Sequence, residues 1–217
     1  MRQVAALMVG LVVLALGAGD SLARDRKQVR EPATQLAALP DVSTPTLVTG
    51  LAKPPIGWVD FCKDHMGECD VATVEATALR VDRQIWTMIT RINREVNASI
   101  EQVEDIDHFG VLEKWAYPVD GRGDCEDIVL EKRRRLIQAG IPRGTLLITV
   151  VRDEQGDGHA ILTLRTDRGD YVLDNKTSRI RPWQDTGYGF VKRQSQQHPD
   201  IWVTLDGTVS PVMTAKH

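Results

Sequence analysis

The chain has 217 residues, 42% of them apolar and 26% charged, with 27 Lys and Arg against 30 Asp and Glu. That length can bury a proper core in one domain, and a net charge of −3 excludes a general polyanion binder, so no nucleic-acid partner is expected. Three cysteines are too few for a disulfide scaffold or a four-thiolate zinc site, which leaves a soluble enzyme or a binding domain.

Residues 1–23 read as a secretory signal. Arg2 supplies the positive start, residues 4–16 are apolar apart from Gly10, and Ser21-Leu22-Ala23 gives a small-x-small cleavage pattern. An uncleaved anchor is the alternative, although the run is short of the roughly 20 apolar residues of a bilayer span. No second run of that length follows, so the mature chain is expected in an oxidising compartment such as a periplasm, with no stable membrane span. Residues 24–55 are rich in Pro, Thr and charge without periodicity, which predicts a polar linker or arm. The folded domain is expected over residues 56–217, opening near Ile56-Gly57-Trp58.

Between residues 81 and 104, Val81, Ile85, Met88, Ile89, Ile92, Val96 and Ile100 recur at helical steps and predict an amphipathic helix facing the core. A second helix is predicted over residues 125–139, ended by Gly140 and Pro142. Its Lys132-Arg133-Arg134-Arg135 run suits a solvated face near a helix C-terminus. Strands are predicted over 145–151, 159–166, 171–175, 190–194 and 201–205, the second and third forming a hairpin around Asp167-Arg168-Gly169. Helices first and antiparallel strands after is an α+β pattern.

Cys62 and Cys69 share a short loop with His65 and Gly67. In an oxidising compartment they would form a disulfide; a metal site of Cys62, His65 and Cys69, or two free thiols, are the rival readings. Cys125 is left over. It follows the Gly121-Arg122-Gly123-Asp124 loop and starts a helix, where the dipole and free N–H groups favour a thiolate and an oxyanion. An apparent pKa below that of a free thiol is therefore expected. Asp124, Glu126 and Asp127 oppose this by their charge; they are either ordinary first-turn acids or ligands of a hard cation such as calcium.

A thiolate nucleophile needs a base and an orienting carboxylate. His159 follows the Gly156-Asp157-Gly158 loop and opens a strand, and Asp174 closes the next one. A two-residue turn at Arg168 and Gly169 would set His159 opposite Ser178 and leave Asp174 roughly 13 Å along the same face. A wider turn or a bulge must then close that gap. The Trp115 indole N–H is a candidate oxyanion donor.

These residues resemble a known family. Gly123-Asp124-Cys125-Glu126-Asp127, Gly158-His159-Ala160 and Val172-Leu173-Asp174-Asn175, with Gly57-Trp58, Phe61-Cys62 and Arg193-Gln194-Ser195, resemble the bacterial transglutaminase-like cysteine proteinases over about residues 56–205. The LapG-like periplasmic proteases belong to that family. The resemblance implies a papain-like, transglutaminase-like fold, with the nucleophile helix packed on an antiparallel β-sheet. It implies Cys125 as nucleophile, His159 as general base and acid, Asp174 as the group orienting the imidazole, and a calcium site using Asp124, Glu126 and, less closely, Asp127. It further implies cleavage of large cell-surface adhesins, with effects on biofilm attachment, and control by an inner-membrane receptor that senses cyclic di-GMP. Ile128 departs from the family, which often has an aromatic residue there. The leading expectation is thus an exported calcium-dependent cysteine endopeptidase. A transamidase using the same acyl-enzyme, or a non-catalytic exported calcium-binding or interaction domain, are the alternatives.

Overall fold

The computed structural model describes residues 36–71 and 78–207. The signal-like residues 1–23 lie outside them. Among the described residues the strands are β1 (Leu47–Ala52), β2 (Glu101–Gln102), β3 (Arg122–Gly123), β4 (Leu146–Arg152), β5 (Gly158–Thr166), β6 (Gly169–Leu173), β7 (Arg181–Pro182), β8 (Gly189–Gln194) and β9 (Trp202–Gly207). The helices are α1 (Ile56–Asp64), α2 (Met66–Cys69), α3 (Arg83–Ser99), α4 (Asp105–His108) and α5 (Cys125–Gln138). Seven strands make one antiparallel sheet in the order β1-β9-β8-β4-β5-β6-β7. The α+β expectation holds.

Side chains alternate across β5 and so separate two apolar layers. Ala160, Leu162 and Leu164 join Trp58, Ile89, Ile92, Ile128 and Leu136 in the main core beneath the helices, where α5 packs on β5 and on α3. Ile161 belongs to the other layer, with Val172, Tyr188 and Phe190.

α3 is shorter than its hydrophobic stripe. Asp82 caps its start by accepting the Ile85 N–H at 2.8 Å. Past Ser99 the chain runs extended because Glu101 and Val103 donate their N–H groups to the carbonyls of Gly121 and Gly123. That pairing competes successfully with another helical turn and brings the segment beside the loop before α5. At the far end of α5, Gly140 takes φ 93° and Ile141 donates to the Leu136 carbonyl at 3.0 Å, a glycine-terminated stop.

Two expectations are corrected here. The segment read as a linker over residues 24–55 contributes a strand: β1 pairs with β9, and the approach to it is pinned down. Thr46 donates through its N–H and hydroxyl to Asp170 Oδ2 at 2.9 and 2.7 Å, and Arg193 pairs with the same oxygen at 3.0 Å in the interior. The basic run on α5 is not a solvated face either. Lys132 and Arg133 are 0% and 2% exposed; Arg133 reaches Glu68 on α2, while Arg134 and Arg135 close on Glu131 one turn back. Sequence position near the helix end mattered less than the turn of the helix, which points the first two inward.

Candidate active site

Cys125 is the first residue of α5 and the one free cysteine among the described residues; Cys62 and Cys69 are joined in a disulfide, as the short-loop reading expected. The glycine before it is sterically required. A Cβ on Gly123 would stand 2.6 Å from Asp127 Oδ2, so only glycine lets the Asp127 side chain fold back against the loop.

The β5–β6 hairpin delivers the second half of the site. Thr166 pairs with Gly169 and Leu162 with Leu173, so the two turn residues are Asp167 and Arg168, one position earlier than the sequence reading placed them. That change moves the register by two residues and brings Asp174 onto the diagonal next to His159. His159 Nε2 and Asp174 Oδ1 are 2.9 Å apart, both side chains buried. No bulge is needed within the hairpin.

Tyr188, just before β8, donates its hydroxyl to Asp174 Oδ2 at 2.6 Å, and the Lys176 N–H donates to Oδ1 at 3.1 Å. Burial alone would raise the Asp174 carboxyl, but the His159 and Tyr188 hydrogen bonds hold it at about 2. Asn97 of α3 fixes the same residue from behind, donating to its carbonyl at 2.8 Å. Tyr188 and Asn97 carried no sequence signal. Each meets Asp174 only through the tertiary fold.

Cys125 and His159 line one cleft of about 450 Å³. The thiol donates to Glu126 Oε2 at 2.8 Å. Burial, then the Glu126 carboxylate, push it well above a free thiol's range, whereas the Ala160 N–H favours the thiolate. That direction is opposite to the lowering expected at the helix N-terminus, because burial and the Glu126 carboxylate favour the neutral thiol. Trp115 is also corrected as an oxyanion donor, because its indole N–H donates to Glu113 Oε1 at 2.7 Å.

Three acidic residues lie beside Cys125. Asp124 and Asp127 converge with Asp105 of α4, their nearest oxygens within 4.8 Å of one another. Glu126, expected in the same set, accepts from the thiol and also hydrogen-bonds Asp124, so it borders the three-aspartate cluster. Asp105 was missed in the sequence because it lies in another element. The signal that could have found it is the second acid-rich stretch, Glu104-Asp105-Ile106-Asp107. One oxygen of Asp105 accepts the Lys114 N–H and one of Asp127 accepts the Ala116 N–H at 2.7 Å. The oxygens left over, Asp105 Oδ1, Asp124 Oδ1 and Asp127 Oδ2, are buried and have no hydrogen-bond partner among the described residues. Burial, with the charge of Glu126, raises Asp124 to about 8; burial, with the charge of Asp124, raises Asp127 to about 8. Three orphaned carboxylate oxygens fit a hard divalent cation such as calcium, which takes oxygen ligands.

A helix that begins on a cysteine, laid over an antiparallel sheet that supplies a His–Asp pair, defines a transglutaminase-like thiol-enzyme fold. The family model described as bacterial transglutaminase-like cysteine proteinase BTLCP matches residues 48–210. The chain belongs to this cysteine peptidase family. Among curated proteins, none matches. Solved structures similar to it include Legionella pneumophila LapG, with 22% identity and TM-score 0.47 over 55% of this chain and 68% of that one. Calcium-bound LapG of the same organism has 21% identity and TM-score 0.47 over 55% and 68%, and EGTA-treated LapG 22% and 0.46 over 58% and 69%.

Proposed function

We propose that the chain is an exported, calcium-dependent cysteine endopeptidase with Cys125, His159 and Asp174 as its triad. The observation that carries this reading is the His159–Asp174 pair at 2.9 Å, in the cleft that also holds the Cys125 thiol. With Nε2 committed to Asp174, Nδ1 is the ring nitrogen left to take the thiol proton. Sulfur then attacks the peptide carbonyl carbon, the C–N bond breaks, and His159 returns the proton to the leaving amine. Water, losing a proton to His159, hydrolyses the thioester and frees the carboxylate; that proton goes back to sulfur. The N-terminal turn of α5 supplies a local positive field suited to the developing oxyanion.

Asp105, Asp124 and Asp127 are the residues proposed to hold calcium. Bound there, the ion would neutralise the acidic cluster and fix the loop leading to Cys125. A periplasmic location, a large surface adhesin as substrate with consequences for biofilm attachment, and a cyclic di-GMP receptor as regulator complete the proposal. They rest on the signal-like residues 1–23 and on the family resemblance.

One observation favours the non-catalytic alternative: the Cys125 thiol donates to Glu126, and burial with that carboxylate favours its neutral form. The deciding experiment is N-terminal peptide profiling of envelope and secreted proteins, wild type against Cys125→Ala. A new N-terminus in a large surface protein, dependent on Cys125, is the expected result. No difference with calcium present would turn the reading to a binding domain, and uptake of a labelled amine into protein to a transamidase.

A further inference from the structure

The cleft holding Cys125 has a neighbour. A second cavity of about 270 Å³, reaching Pro55, Trp115 and Lys192, lies beyond it, and the two have Glu113, Glu126, Gly158 and His159 in common. Gly158 is the residue without a side chain in that shared saddle. It opens β5 opposite Arg152, is exposed, and is not among the glycines held at positive φ. A Cβ built on it meets nothing within 4 Å. Neither backbone conformation nor packing in the free protein therefore requires glycine there.

Strand alternation says where a side chain at 158 would go. Ala160, Leu162 and Leu164 face the core beneath α5, so position 158 shares the sheet face over which Cys125 sits. Gly158 lines both cavities, so a substituent there would border each of them. An extended peptide attacked at Cys125 must extend to both sides of the sulfur, one side for the acyl part and one for the leaving amine.

We propose that Gly158 is the specificity-determining position of this site: the bare backbone at 158 is the saddle over which an extended substrate main chain passes from one cavity to the other. The inference rests on the peptidase reading of Cys125.

The test compares three reagents on the full chain: iodoacetamide, an epoxysuccinate carrying a mixed-sequence tripeptide on one side, and the same epoxysuccinate carrying a tripeptide on each side. In the wild type the two-armed reagent is expected to label Cys125 at least tenfold faster than the one-armed reagent. Gly158→Leu should abolish that advantage and leave the iodoacetamide rate and the Tm unchanged, with Gly158→Ala intermediate. Equal one- and two-armed rates in the wild type overturn the proposal, as does a Gly158→Leu variant that keeps the two-armed advantage or slows all three reagents alike. Labelling needs no turnover. A wild type that shows the two-armed preference and releases no new N-terminus from casein would sink the endopeptidase reading and leave the role of Gly158 standing.

Discussion

The guanidinium of Arg133, enclosed on the helix that begins at Cys125, ends 3.0 Å from the Glu68 carboxylate of the disulfide-bonded helix α2. Its Nε also donates to the Leu146 carbonyl at 3.2 Å, so one side chain ties α2, α5 and the start of β4. Burial lowers the Arg133 pKa to about 10, with Arg143 as a like-charged neighbour on the same Glu68 oxygen.

Glu68→Ala should therefore cost much more than an exposed ion pair. It leaves a buried guanidinium without its carboxylate, a loss of about 3–5 kcal/mol, or a Tm lower by roughly 10 °C for a domain of this size. Calorimetry of Glu68→Ala and of the double variant Glu68→Leu/Arg133→Met checks it. The double variant should recover most of the loss, and a Tm change below 2 °C in the single variant would show that the pair is inert.

Tyr188→Phe tests the support of Asp174. The Asp174 carboxyl sits at about 2, below its unfolded value of about 3.9. Its contribution to stability is complete above pH 4 and is lost as pH falls through the folded value. Removing the Tyr188 hydroxyl raises the folded value, and each unit is worth about 1.4 kcal/mol. Tyr188→Phe should therefore show its full loss of stability above pH 4 and converge on the wild type below about pH 2, so that its acid limb is shallower. An identical acid limb would remove Tyr188 from the account.

Asp124 and Asp127 behave in the opposite sense. Both sit at about 8 when folded, above the unfolded carboxyl value, so the native state holds extra protons. In EGTA, stability should fall as pH rises from about 4 through about 8. Calcium should flatten that slope and raise the Tm, and Asp105→Asn should blunt both effects of the ion. A Tm–pH curve indifferent to chelation would count against the cation site.

Glu126→Gln removes the nearest charge from the Cys125 thiol. Its pKa should drop, with about tenfold more thiolate per unit at neutral pH, and iodoacetamide labelling at pH 7 should quicken. Slower labelling would mean that Glu126 activates the sulfur rather than restrains it.

Much of this was legible one element at a time. The glycine stop after α5, the strand runs and the Cys62–Cys69 pairing depend on neighbours in sequence, and each was found close to where it was expected. The positions of His159 and Asp174 were legible; their contact was not, because moving the turn by one residue shifts pairing by two. Asp105 and Tyr188 stayed hidden for a related reason, since their roles come from meeting partners on other elements. The inward turn of Lys132 shows the limit of charge as a guide. Burial brings that lysine to about 7, with the Asp174 carboxylate acting against the shift, and no local pattern distinguishes it from the half-buried Arg134 and Arg135.

The pairing of β1 with β9 joins segments 155 residues apart, at Thr49 and Thr204. A ribosome releases the partner of β1 only when nearly all of the domain has emerged. Until then β8 also lacks β9, and the sheet has an open rim on that side. Such long-range closure makes assembly slow relative to helical folds, and it keeps the growing polypeptide from locking into its final shape while it is still being made.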